Sequence, residues 1–189
     1  MSQPAAEFRP AIAERWDDVE AVMRSCANGK NCWCAFWYVS NAAYQAGWGE
    51  ANRNHLRNLV ATGREPGLIG YVEGRPAVWV GVAPRRSFDR LNRSKTFAPL
   101  DDLEVWAVNC FIVAKDFRRQ GLMRAMAEAA AIFALGRGAP GVEGYPVDPG
   151  PRTAAADLYL GTVEAFVAAG YREVARPLPR RAVMRRMAE

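Results

Sequence analysis

The run Val105-Trp106-Ala107-Val108-Asn109-Cys110-Phe111-Ile112-Val113 constrains this chain most, because Asn109 is its one polar side chain. So apolar a stretch, without alternation, reads as a central strand buried on both faces. Soon after it a helix begins. Over Gly121 to Leu135, Leu122, Met126, Ala130 and Phe133 recur at helical spacing, and Gly136 and Gly138 supply left-handed stop positions. Strand, tight turn and helix therefore form the centre of the fold.

The flanks add elements of both kinds. Ile12 to Met23 carries Ile12, Trp16, Val19 and Met23 on one helical face, and Glu50 to Val60 reads as a second helix; the cysteine-containing stretch between them reads as a loop. Leu68 to Val72 and Ala77 to Val82, joined by Glu73-Gly74-Arg75-Pro76, predict a hairpin. Beyond the central helix come a strand at Val142 to Val147, a helix at Asp157 to Ala169 closed by Gly170, and strands at Tyr171 to Val174 and Ala182 to Met187. The expectation is one α/β domain over residues 1–189, with no internal repeat and no linker.

Composition narrows the function classes. Half the residues are hydrophobic and 24% are charged, which suits a packed globule rather than a disordered chain. No apolar run approaches the roughly 18 residues of a membrane helix, and Met1-Ser2-Gln3-Pro4 lacks a basic segment leading into an apolar one, so no membrane association and a cytoplasmic location are expected. Four cysteines, Cys26, Cys32, Cys34 and Cys110, are too few and too unevenly spaced for a secreted disulfide framework. The formal charge of +5 comes from arginine, since Lys30, Lys95 and Lys115 are the only lysines. Arginine forks suit phosphate, so a phosphorylated cofactor, an acidic substrate or RNA would each satisfy the bias.

The turn Arg118-Arg119-Gln120-Gly121-Leu122-Met123 gives that bias a place. A helix start presents unpaired N–H groups and the positive end of the helix dipole, and Gly121 permits close approach by a pyrophosphate. Arg118, Arg119 and Arg124 would add charge-assisted bonds at the rim. A plain helix start with solvated arginines fits the local pattern as well.

These residues resemble the acyl-CoA turn of the GNAT N-acetyltransferases, Gln/Arg-x-x-Gly-x-Gly/Ala after a strand that often ends in valine. Arg118 and Gly121 match, and Val113 lies five residues before Arg118; Met123 departs from the small last residue. Tyr159-Leu160-Gly161-Thr162 and Phe166 to Tyr171 look like the family's closing helix and next strand, so the likeness covers most of residues 79–186. Cys32-Trp33-Cys34, Ala83-Pro84-Arg85, Val142 to Asp148 and Val183-Met184-Arg185-Arg186 look like a bacterial subgroup within it. The resemblance implies a GNAT fold: a central, mostly antiparallel mixed sheet with flanking helices and a splayed parallel strand pair that holds acyl-CoA.

It also implies acetyl-CoA, or another acyl-CoA, as co-substrate, with its arm along the backbone of Phe111, Ile112 and Val113 and its pyrophosphate at Arg118, Arg119, Gln120, Gly121, Leu122, Met123 and Arg124. Direct attack by a primary amine in a ternary complex then needs a base and an acid. Ala107 and Phe166 occupy places where the family often has a glutamate base and a tyrosine acid. Glu104 as base, Tyr145 for orientation and Tyr159 as acid are the candidates, against a solvated carboxylate, two packing tyrosines and water as the plainer readings. Trp33, Cys34, Trp37 and Asn109 are the candidate acceptor pocket, or core.

Other constellations are less specific. Cys26, Cys32, Cys34 and His55 include zinc-ligand types, yet a lone Cys-x-Cys is a poor chelate, so no metal is expected. Arg85, Arg86, Arg90 and Arg93 form a basic stretch that would meet phosphate, an acidic acceptor or solvent. No RNA-binding pattern accompanies it, so nucleic acid is the disfavoured partner and a small-molecule amine the favoured one. The alternatives are a catalytically silent acyl-CoA-binding module, and an acyltransferase acting on a protein or charged tRNA; homodimer formation is left open.

Overall fold

A computed structural model describes residues 5–151 and 153–188, apart from the side chains of residues 155 and 156. The elements run β1 (Ala6–Pro10), α1 (Trp16–Arg24), α2 (Gly29–Cys32), α3 (Asn41–Ala46), α4 (Glu50–Ala61), β2 (Gly67–Val72) and β3 (Arg75–Pro84). They continue with α5 (Asp89–Asn92), β4 (Trp106–Val113), α6 (Leu122–Leu135), β5 (Gly141–Gly144), α7 (Val163–Ala168), β6 (Arg172–Leu178) and β7 (Arg181–Met187). The seven strands form one sheet in the order β1-β2-β3-β4-β5-β7-β6. Only β4 and β5 pair in parallel; the other neighbours are antiparallel.

β4 lies mid-sheet, as its apolar run predicts, and both of its faces are covered. Val108 and Phe111 pack under α6 with Met126, Ala130 and Phe133. Ala107, Cys110 and Ile112 face the opposite layer, built from α1, α4 and the 33–38 turn. That pattern breaks strict alternation, and the cause is in the register. Gly81 pairs with Cys110 and Val82 with Val108, so Asn109 is one residue too many and forms a β-bulge.

Three expectations need correction. The interval between the first two helices is not a plain loop: it holds α2 and α3, the latter capped by the Ser40 hydroxyl, which accepts the Ala43 N–H. The segment expected as one helix from Asp157 is a 3-10 helix, Ala155–Leu160, and then α7, broken at Gly161. Strand β1 was not anticipated, because five residues with alternating exposure give too short a signal.

The helical layer is clamped by one carboxylate. Glu20 on α1 accepts from Arg53 on α4 at 2.8 Å, from Arg24 and from the Trp16 indole, while the Arg53 guanidinium also lies over Trp16 and Trp33. The Arg53 bond, followed by Arg24, holds the Glu20 carboxyl down to about 2 from an ordinary 4.5. The unfolded chain then takes up the proton first, so this contribution is complete above about pH 4.5 and fades as pH falls toward 2. Glu20→Gln should lower unfolding free energy by about 1–2 kcal/mol at neutral pH. In urea melts the gap to wild type should narrow progressively below pH 4.5.

Candidate active site

β4 and β5 stay paired only over Trp106↔Val142, Ala107↔Glu143 and Val108↔Gly144. Past Val108, no strand among the described residues pairs with β4 on that side, so a wedge opens along Asn109 to Val113. The bulge begins where the pairing ends. The 3-10 helix Ala155–Leu160 lies beside this wedge, and the Phe111 ring packs 5.8 Å from Phe166. Phe166 is fully buried between Phe111 and Tyr171, which gives it a packing role.

At the far end of β4 the chain turns through Arg119 and Gly121, both in the left-handed region with φ of 61° and 73°, and enters α6 at Leu122. No side chain caps α6 and its first turn holds no acid. The positive end of the helix therefore meets no carboxylate from its own first turn. Arg118, Arg119, Gln120, Gly121 and Arg124 are exposed around it, Met123 is half-buried and Leu122 is buried. Arg118 donates to the Val113 carbonyl at 3.1 Å and Gln120 to the Asp116 carbonyl, which fixes the turn against the end of β4. The wedge thus offers strand backbone with no strand partner on one side, followed by a helix start, a combination that can receive an extended, amide-containing molecule with an anionic end.

Tyr159 is half-buried beside the wedge and touches both the Cys34 and Cys110 cluster and the cluster of Trp37, Ala107 and Tyr145. Burial pushes its phenol above the ordinary range; Cys110 adds to this and Arg181 opposes it. Tyr145 is 2% exposed and donates to Glu143 Oε2 at 2.7 Å. Burial, then the Glu143 charge, raises its phenol well above 10. Glu143 is buried too, and its other oxygen accepts both the Nε and Nη2 hydrogens of Arg185 at 3.0 and 2.7 Å. This carboxylate was missed in the sequence; the signal was the two-residue spacing of Glu143 and Tyr145 on one strand face.

Glu104 lies elsewhere. It precedes β4, is exposed and pairs with Arg86 at 2.6 Å, on the wall of a cavity of about 320 Å³ shared with Asp101, Glu143 and Arg185. Six residue steps lead from it to Cys110, up to about 20 Å of extended chain. The structure does not bring it to Tyr159. Trp33 is also drawn away: it stacks on Trp16 at 6.1 Å and donates to the Lys30 carbonyl, inside the α1 and α4 layer. Cys34 and Trp37 do lie on the wedge side, with Cys34 next to Cys110. Asn109 is 2% exposed.

Trp33 and Cys34 both have positive φ, at 46° and 51°, a conformation costly for such residues that aims Cys34 at the sheet. All four cysteines are free thiols. Burial, then the neighbouring Cys110, pushes Cys32 up to about 12, and burial pushes Cys34 well above the ordinary thiol range. Among the described residues no group of three or more His, Cys, Asp or Glu side chains is arranged to hold a metal. The basic stretch is largely consumed internally: Arg85 donates to the Leu91 and Phe97 carbonyls, Arg90 to the Val39 carbonyl, and Arg93 pairs with Asp89.

Comparison with known proteins agrees with this geometry. The pattern of the Acetyltransferase (GNAT) family matches residues 31–161. No curated protein sequence matches the chain. A GNAT-family acetyltransferase from Listeria monocytogenes superposes with a TM-score of 0.59 at 10% identity, covering 96% of this chain and 94% of its own. The PaiA N-acetyltransferase of Thermoplasma acidophilum, solved with coenzyme A, gives a TM-score of 0.53 at 9% identity over 97% and 99% of the two chains. Arylalkylamine N-acetyltransferase 2 of Aedes aegypti gives 0.55 at 13% identity over 97% and 99%. At these identities the structures share the fold. Among the described residues no helix is long and apolar enough to cross a membrane.

Proposed function

Because the chain belongs to the GNAT acetyltransferase family, we propose that it moves an acetyl or other short acyl group from coenzyme A to the primary amine of a small molecule. The observation that carries the proposal is the wedge beyond Val108 ending at the start of α6, which has no acidic residue in its first turn. In this scheme the backbone amides of Gln120 to Arg124 hold the pyrophosphate, with Arg118, Arg119 and Arg124 at its rim. The pantetheine arm pairs with the backbone of Phe111, Ile112 and Val113. That arrangement places the thioester near Asn109 and Cys110, beside Tyr159.

The amine nitrogen then attacks the thioester carbonyl; a C–N bond forms, the C–S bond breaks and no acyl-enzyme intervenes. Tyr159, kept protonated by its burial, gives its proton to the departing thiolate. Water takes the proton from the amine, since Glu104 is remote and Glu143 is already bound by Arg185 and Tyr145. Cys110 is a poor rival nucleophile, being a buried thiol in an apolar strand. Ala107 and the fully buried Phe166 favour a second reading, a silent acyl-CoA-binding module. Release of free thiol with an amine separates the two readings.

Gly121→Glu should abolish acetyl-CoA binding in calorimetry, because its left-handed φ strains any larger residue and the new charge opposes the pyrophosphate; unchanged affinity would remove the turn from the site. Tyr159→Phe should lower turnover about 10²- to 10⁴-fold with acetyl-CoA affinity nearly intact. Cys110→Ala should cost far less, and an acetylated Cys110 trapped by intact-mass analysis would reverse the mechanism.

A further inference from the structure

Trp79 Nε1 and Arg181 Nη1 of the sheet are buried without a hydrogen-bond partner, but Asn109 is the sheet residue with two such atoms. It is 2% exposed, yet neither Oδ1 nor Nδ2 has a hydrogen-bond partner. A buried carboxamide left unpaired costs about 1–3 kcal/mol per group, so a stability argument alone would have placed an apolar residue there. The position is also built for it. The carboxamide lies over Gly81 on β3, where any Cβ would collide with Oδ1, and the bulge sets it at the start of the wedge.

Two residues along β3 and on the same face as Gly81, Ala83 walls a cavity of about 180 Å³; that step is about 7 Å. Tyr38, Ser87 and Arg64 line the same cavity. The Tyr38 hydroxyl is buried without a hydrogen-bond partner; burial pushes its phenol above the ordinary range, Cys34 and Cys110 add to this and Arg64 opposes it. Arg64 makes no ion pair among the described residues, in common with Arg57, Arg119, Arg124 and others, but it is the one cation that lines this cavity. No carboxylate lines this cavity. A polyamine would find nothing to neutralise its second cation; an anion would find a guanidinium and hydroxyl donors.

Resting on the acyl-transfer reading above, we propose that the acceptor is a small amine that carries a carboxylate, an amino acid in chemical class, with its nitrogen donating to Asn109 Oδ1 and its carboxylate held by Arg64. The test is thiol release from acetyl-CoA with the protein amino acids, their carboxamides, 1,3-diaminopropane and spermidine. Acids should be acetylated in preference to their amides and to the polyamines. Arg64→Ala should raise KM for the acid about 10- to 100-fold while the small remaining rate on the amide is unmoved. Asn109→Ala should lose about 10- to 100-fold in kcat/KM for the acid, keep its acetyl-CoA affinity, and melt no lower than wild type because an unpaired buried amide has gone. Preference for polyamines, or an acid KM unchanged in both variants, overturns the assignment and leaves acyl transfer standing. A lower melting temperature for Asn109→Ala with kcat/KM unchanged would make Asn109 a structural residue and overturn it too. No thiol release with any amine sinks both readings.

Discussion

The last parallel pair between β4 and β5, Val108 against Gly144, is the contact on which the rest of the site depends. Up to that point β4 is a core strand, paired on both sides and covered on both faces. Beyond it the bulge at Asn109 takes up one extra residue against β3, and strand partners remain on one side alone. A sheet interior normally has no backbone to offer a ligand; this one offers a short row of it without creating an exposed edge, because the 3-10 helix Ala155–Leu160 shelters the gap. The same discontinuity allows Tyr159 to reach toward Cys110.

Electrostatics reinforce the division of labour. Most arginines near the site are bound: Arg85 to main-chain carbonyls, Arg185 to Glu143 and Asp101, Arg90 across Phe36. The buried Glu143, Arg185 and Tyr145 network ties β5 to β7 and sets β5 in place next to the wedge. It is a strut between the two strands. The arginines at the start of α6 are different, being exposed around a helix terminus with no acid in its first turn. The net charge of +5 is thus mostly structural in use, with a local excess where the proposed cofactor's phosphates would lie.

Local order was legible where periodicity is local. The apolar run of β4, the helix after Gly121 and the hairpin of β2 and β3 follow from residues a few positions apart, and so does the place of the turn between β4 and α6. Pairings across long separations could not. Arg185 meets Glu143 from 42 residues away, a pairing that no local spacing announces. The bulge needs the register of two strands, and only that register shows that Asn109, merely the odd polar residue in an apolar run, is buried over Gly81. Glu104 illustrates the converse: its place just before β4 made it attractive as a base, and its pairing with Arg86 at the outer end of the strand removes it from the wedge.

A crystal structure with coenzyme A would decide whether the wedge is the cofactor site. The pyrophosphate should lie within hydrogen-bond distance of the amides at the start of α6, and the pantetheine amides should pair with the backbone of Phe111 to Val113 on the side that β5 has left. Coenzyme A bound anywhere else, or a β5 that closes against β4 beyond Val108, would contradict it.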